Sequence, residues 1–450
     1  MNDLERWLRS PDRKPLVLRG ARQVRKTWVV RELAKRTGKD LLEINFERDP
    51  RDSSLFSQKD PAEIVRQLEA RLGRRIAPET SLLFLDEIQA APHAFANLRW
   101  FAEDMPQLPV ITAGSLLDFV LADHSFSMPV GRIGYLYMDA MTFEEFLAAT
   151  GNEELVRFIA EFVPGQTLSD SLHSHLLSFY REFVFVGGMP AAVASWTRDK
   201  SPVACAEVHH NLLAAYRDDF HKYKGRIPVE RLSKVFDAVP RELGRKFVYS
   251  RVSREESTAS LKHALDLLVR ARVCTCIKAS HGTGIPLGGD LCQTMRKVIH
   301  MDVGLVTASL GLSPAAVQSV NQIAMVNNGA IFEQSIGQAL RCSLPRFMEP
   351  ELFYWIREKR GSEAEVDYLV QCGTRIVPIE VKAGKTGALK SLHLFMSLRG
   401  LPLAVRFNCD LPSITPVDVR TTSGQPARYT LLSLPFYLSG QLRRLVDEVG

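Results

Sequence analysis

Two groups of residues have the types and spacing for phosphate chemistry. The first is the octapeptide GARQVRKT at 20–27, which sets Gly20 ahead of the pair Lys26-Thr27. That is the outline of a GxxxxGK[ST] phosphate-binding loop. In such a loop, backbone N–H groups and the positive end of the following helix cradle phosphate oxygens. Ala21, Arg22, Gln23, Val24 and Arg25 would supply that backbone. Lys26 would bridge the β- and γ-phosphates, and Thr27 would place its hydroxyl on Mg²⁺. The second glycine of the pattern is Arg25 in this chain. A glycine there takes positive φ easily and spares the ligand a Cβ clash. Arg25 therefore either strains the loop and crowds the phosphates, or points outward and adds positive charge. Taken alone, the octapeptide also reads as a plain strand-to-helix turn.

A second stretch strengthens the nucleotide reading. SLLFLDEIQ (81–89) is an apolar strand ending in Asp86-Glu87. Asp86 would hold Mg²⁺, partly through water, and Glu87 would orient and activate an attacking water. The pair falls about 60 residues after Lys26, in register for a two-part nucleotide site. The next strand, LPVITAGS, ends in Ser115. Ser115 reads equally as a γ-phosphate sensor or as the N-cap of the helix that follows.

The second group is Asp367, Glu380 and Lys382. AEVDYLV and VPIEVKA read as adjacent strands, and Glu380 and Lys382, two apart, share a face. Asp367 reaches that face from the neighbouring strand, and Glu333 on IFEQSIGQAL could add a carboxylate. Asp367 and Glu380 would bind Mg²⁺, and Lys382 would stabilise a nucleophilic water or the pentavalent phosphate. The outline resembles the D…ExK core of restriction-endonuclease-like domains. Fold is not activity: an active nuclease, a nucleic-acid clamp and a relic held by ion pairing all stay open.

The elements that must position these residues are α/β in class. Apolar runs at 15–20, 40–46, 81–87, 108–114 and 134–140 alternate with helical spacing. That pattern implies a parallel sheet with crossover helices over 1–150. Over 151–241 the strand signals fade. Helices are expected at 169–187 and 203–223, with a turn forced by Gly187, Gly188 and Pro190. Residues 242–312 read as a winged-helix-like module with a wing around 281–284. Its Arg251, Arg254, Lys262 and Arg270, with Ser257, Thr258 and Ser260, could face DNA phosphates. A merely solvated helix face is the competing reading. Residues 313–450 start with a helix over 313–341. They continue as strands LFYWIRE, AEVDYLVQ, IVPIEVKA and LAVRFN, with a helix over 390–400.

Composition bounds the rest. The chain has 450 residues, 46% hydrophobic and 24% charged, which excludes a mainly disordered, collagen-like or disulfide-stapled protein. The net charge of +6 permits a nucleic-acid partner without demanding one. Seven scattered cysteines suit a reducing cytoplasm. Cys274-x-Cys276 lacks a partner pair, and His209-His210 and His173-x-His175 lack a third ligand, so no metal is expected at either. There is no GxSxG and no evident Cys–His nucleophile pair. No apolar run has the length of a membrane span.

The ordered set PLVLRGARQVRKTWVVRELA, LLFLDEIQ, VITAGSLLDF, VGRIGYLYMDAMTFEEFL, REFVFVGGMPAAV, FEQSIGQAL and EVDYLV…PIEVKAG spans nearly the whole chain. It resembles the prokaryotic AAA-type ATPases, often labelled only "ATP-binding protein", that carry a C-terminal domain of unknown function 4143. The resemblance implies a P-loop AAA-type domain, ATP and Mg²⁺ as cofactors, and a restriction-endonuclease-like C-terminal domain. It also implies a homo-oligomer, since such sites are often completed by a neighbouring subunit. Arg132 would then be an arginine finger or, more simply, an ion-pairing residue. The family has Gly where this chain has Arg25, which bears on hydrolysis more than on fold. The expected function is an ATP hydrolase whose nucleotide state controls a C-terminal module that meets nucleic acid or protein. A non-hydrolysing switch or DNA-binding regulator, and a Mg²⁺-dependent nuclease regulated by the ATPase domain, are the alternatives.

Overall fold

A computed structural model describes residues 1–114, 129–223, 227–312, 329–359, 362–383 and 389–449. They gather into two units. The first is Met1–Asp139 with Arg270–Arg272 and Pro345–Glu349; the second holds the rest.

The first unit is built on five parallel strands. They are β1 (Leu16–Arg19), β2 (Asp40–Asn45), β3 (Ser81–Asp86), β4 (Val110–Ala113) and β5 (Gly134–Tyr137), in the order β2-β3-β4-β1-β5. The apolar runs are needed because helices cover both faces. Leu82 and Phe84 of β3 pack with Leu4, Val30 and Leu33, which come from α1 (Asn2–Arg9) and α2 (Lys26–Thr37). Leu83 and Leu85 turn the other way, onto Ile64, Leu68, Phe95 and Leu98 of α3 (Pro61–Leu72) and α4 (Pro92–Asp104). This is the two-residue period of a strand buried on both sides.

Two later segments complete this unit. The β5 N–H of Tyr137 donates to the Arg346 carbonyl at 2.7 Å. Arg272 is buried, lies 3.8 Å from Asp139, and rests its guanidinium 4.6 Å from the Tyr137 ring centroid.

The second unit begins with helices, among them Asp170–Val186, Pro190–Asp199 and Pro202–Asp219. The expected turn at Gly187-Gly188 is a close crossing. Gly187 has φ 71°, and a Cβ there would overlap the Asp302 carboxylate. The Gly188 N–H donates to Asp302 at 2.6 Å, and the Gly188 carbonyl accepts from Met141 at 2.8 Å.

Its sheet has eight strands: β6 (Cys274–Ser280), β7 (Leu291–His300), β8 (Leu352–Lys359), β9 (Ser362–Cys372), β10 (Arg375–Val381), β11 (Leu403–Asn408), β12 (Ser413–Arg420) and β13 (Pro426–Pro435). The order is β12-β13-β11-β10-β9-β8-β6-β7. The strand pair read as a wing is therefore β6 and β7 at one end of the C-terminal sheet. β6 runs parallel to β8, with Ile277 opposite Leu352 and Ala279 opposite Tyr354. Alternation identifies a strand but not its partner. The helix read over 313–341 is described from Ala330 to Cys342, and 313–328 lie outside the described residues. Among the described residues, no helix is long and apolar enough to cross a membrane.

Candidate functional site

Gly20 follows β1 because a Cβ there would press on the Met138 carbonyl. Gln23 and Arg25 then take φ of 62° and 68°. Left-handed backbone at a residue with a Cβ costs about 1 kcal/mol or more. The chain bears that strain twice within three residues, and Arg25 stands at the N-cap position of α2 without a side-chain capping hydrogen bond. The Arg25 guanidinium lies 5.4 Å from the Trp28 ring centroid, beside an indole that is 52% exposed. Of the two conformations open to Arg25, the side chain thus turns toward Trp28 while the loop keeps positive φ.

Lys26 Nζ donates to the carbonyls of Gly20 at 2.9 Å and Ala21 at 2.7 Å. Burial lowers its pKa to about 8, against the pull of Glu87 and Asp86, so it remains cationic at neutral pH. Thr27 Oγ1 donates to Asp86 Oδ2 at 3.0 Å. Burial also pushes the Asp86 carboxyl above its usual range, and the Thr27 hydrogen bond opposes this. Glu87 has φ 52°, which turns the chain at the end of β3. Its Oε2 accepts from Gln89 Nε2 at 2.5 Å. The octapeptide and the Asp86-Glu87 pair therefore meet at the carboxyl ends of β1 and β3, where parallel sheets bind ligands.

Two polar residues at this edge went unread. Asn45, opposite Asp86 in the β2–β3 ladder, donates to Asp86 Oδ2 at 3.3 Å. Its place at the end of the neighbouring strand was a usable signal. Gln89 is accommodated by Gly114, where a Cβ would overlap the Gln89 amide oxygen. Ser115 lies outside the described residues. Arg132 pairs with Glu103 at 2.7 Å, the simpler of its two readings.

In the second unit, Lys382 Nζ lies 2.6 Å from Glu380 Oε1, and Asp367 Oδ2 accepts from the Val381 N–H at 2.7 Å. Glu380 is buried, and its Oε2 has no hydrogen-bond partner among the described residues. Burial, with the charge of Asp367, pushes its pKa up to about 8. Glu333 does join the group from the helix Ala330–Cys342, but through a residue the motif did not contain. Lys297 of β7 is buried and lies 2.7 Å from Glu333, 3.8 Å from Asp367, and in contact with Glu365. Burial alone would lower its pKa, but these three carboxylates outweigh it and hold it well above the ordinary value. Glu365 sits two residues before Asp367, so the strand period could have revealed it. Nothing in TMRKVIH marks Lys297, because its partners are remote in sequence. Among the described residues, no group of three or more His, Cys, Asp or Glu is arranged to hold a metal ion. The Lys297 ammonium stands where three of the carboxylates converge.

The basic residues Arg251, Arg254 and Lys262 are exposed. Arg251 pairs with Glu242 at 3.0 Å. Ser257 and Ser260 hydrogen-bond each other at 2.8 Å. One unexpected Cys–His pair exists: Cys205 Sγ lies 3.8 Å from His209 Nε2. Both are buried, burial raises the thiol pKa to about 12, and His209 Nε2 also lies 2.9 Å from the Val186 carbonyl.

Residues 12–147 match the family model described as an AAA domain. Residues 178–316 match a domain of unknown function, DUF8612, and residues 328–409 match another, DUF4143. No curated protein matches the chain. Among solved structures, it is similar to one titled "Structure of the Aeropyrum Pernix ORC2 protein (ADPNP-ADP complexes)". The identity is 14%, the match covers 70% of this chain and 92% of that one, and the TM-score is 0.34. That similarity is too loose to argue from.

Proposed function

For this chain, which belongs to the AAA-type ATPases with a C-terminal DUF4143 domain, we propose that residues 20–27, Asp86 and Glu87 bind Mg-ATP and hydrolyse it to ADP and phosphate. One observation carries the reading: the loop holds positive φ at Gln23 and Arg25, without its second glycine, and ends on Lys26 parked against two neutral carbonyls.

The residues fit the groups they would hold. Thr27 and Asp86 set a hydroxyl and a carboxylate side by side at 3.0 Å, hard oxygen donors of the kind Mg²⁺ takes beside phosphate and water. When bound, Mg²⁺ would neutralise charge on the phosphates. Lys26 would exchange the Gly20 and Ala21 carbonyls for phosphate oxygens. The first N–H groups of α2 would point at the same oxygens. Glu87, oriented through Gln89, would hold the attacking water and take its proton.

Nucleotide state would act on the helical middle or on the C-terminal sheet, in a cytoplasmic protein whose seven thiols are all unbridged. The proposal extends to a homo-oligomer, in which a neighbouring copy would complete the nucleotide site. The exposed Arg251, Arg254 and Lys262 support contact with DNA phosphates. For Asp367, Glu380 and Lys382, Lys297 favours the ion-paired reading over metal-dependent cleavage.

The test is Mg-ATP binding and phosphate release by the whole protein, with Glu87→Gln alongside. Turnover that falls by about 10²–10⁴-fold in Glu87→Gln, with binding kept, supports hydrolysis. Tight binding with no turnover above that variant would establish the non-hydrolysing switch.

A further inference from the structure

A cleft of about 230 Å³ opens in the second unit. Phe143, Val156, Ala160, Phe183 and Ala339 give it apolar walls, and among the described residues Glu144 is the one charged residue that lines it. The other polar groups around it are spent on the protein. The Tyr180 hydroxyl bonds Ser335 Oγ at 2.7 Å. Gln338 accepts from the Val303 N–H at 2.9 Å and donates to Asp302 at 3.3 Å. Ser343 Oγ donates to the Leu340 carbonyl at 2.8 Å.

Glu144 differs from these. Its Oε1 accepts from Gln441 Nε2 at 3.2 Å, its carboxylate also accepts from the Thr142 hydroxyl and its own backbone N–H, and it forms no ion pair among the described residues. Arg444 approaches only through Gln441, whose Oε1 it meets at 3.2 Å. The same guanidinium is held by the Phe162 carbonyl at 2.8 Å and by Glu448 at 2.6 Å. An ionised carboxylate has about four acceptor sites, so capacity remains. Gly440 keeps the place open, since a Cβ there would overlap Glu144 Oε1. Glu144 stands in the first turn of the helix Phe143–Ala149, where a negative charge is favoured. That preference explains an acid at this position. It explains neither the cleft nor the bare backbone facing the carboxylate. Burial holds the carboxyl above its ordinary pKa, and a bound cation would draw it back down.

We propose that this cleft binds a small organic cation, with an ammonium head on Glu144 and a short hydrocarbon body against Phe143, Val156 and Phe183. The volume is below the roughly 300–1,000 Å³ of sites for drug-sized ligands, which limits the body to a few carbons. The inference is independent of the nucleotide reading.

The experiment is calorimetric titration of the whole protein with n-pentylamine at neutral pH, where it is an ammonium, and with n-pentanol as the neutral isostere. Saturable binding of the amine, at least about tenfold weaker binding of the alcohol, and a similar loss in Glu144→Gln are expected. Gly440→Ala, which pushes on the carboxylate, should weaken the amine as well. Cys342 also lines the cleft, so the amine should slow its alkylation in the unmutated protein while the alcohol does not. No saturation by the amine, equal binding of both probes, or unchanged binding in a folded Glu144→Gln would overturn the proposal. If Glu144→Gln does not fold, unprotected Cys342 alone suffices to overturn it.

Discussion

Lys26 and Lys297 are both lysines drawn out of water, one in each unit, and they are held in opposite ways. Lys26 rests on two backbone carbonyls, which are neutral, and its pKa is pulled down. Lys297 rests on Glu333, Glu365 and Asp367, and its pKa is driven up. An anion arriving at Lys26 offers it more than the carbonyls do. An anion arriving at Lys297 would compete with three charges already in place. The first arrangement suits a ligand-exchanging cation and the second a structural one. The local dielectric raises the stakes at both, but the carboxylates near Lys26 do not overcome its burial, whereas those paired with Lys297 do.

The comparison can be broken in four places. Lys297→Met would leave the converging carboxylates without their cation and should cost about 3–5 kcal/mol at neutral pH. The loss should shrink as acid protonates the carboxyls, and denaturant unfolding at pH 7 and pH 5 measures it. A stable Lys297→Met protein that gains Mg²⁺ binding would recast the cluster as a metal site held shut. Lys26→Ala should weaken Mg-ATP by about 3 kcal/mol, roughly a hundredfold, with little change in stability. Unchanged calorimetric affinity in that variant would remove the nucleotide reading.

The third effect is a pH dependence. Glu380 keeps its proton up to about pH 8 in the fold, while in the unfolded chain it ionises at the ordinary carboxylate value. Between those two pKa values the native state binds the extra proton, so this group's contribution to stability falls as pH rises. Glu380→Gln should therefore gain on the native protein from pH 5 to pH 8, by about 2 kcal/mol at the upper end. A pH-independent difference between the two unfolding curves would contradict this. The smallest effect belongs to Arg25→Gly. Relief of one left-handed residue is worth about 1 kcal/mol, partly offset by glycine's unfolded-state entropy. The variant should gain up to that amount in denaturant unfolding with Mg-ATP affinity little changed, since the unliganded loop already holds positive φ, and weaker binding would mean that the Arg25 charge assists the phosphates.

Much of the first site was legible because its parts are local. GARQVRKT is contiguous, and Asp86-Glu87 ends an apolar run whose six residues are all buried. What escaped was pairing across distance. Lys297 meets Glu333 from 36 residues away, and no periodicity encodes that contact. β6 and β7 were legible as strands but not as members of the C-terminal sheet, since β8, the parallel partner of β6, lies beyond intervening helices. β12 was missed for another reason. SITPVDVR is largely exposed and carries Pro416, which an edge strand tolerates and a buried one does not.

The closing of β5 by Arg346 has a practical side for anyone wishing to study the nucleotide unit alone. A fragment ending at Asp139, or at the end of the matched AAA segment, would lose the acceptor for the Tyr137 N–H and the cation beside Asp139. It would also bare an unpaired strand margin, the kind of surface through which chains stick to one another. The unit is contiguous in space but assembled from three stretches of chain. Dissection by truncation would thus report on a damaged sheet, whereas single substitutions in the intact protein leave it whole.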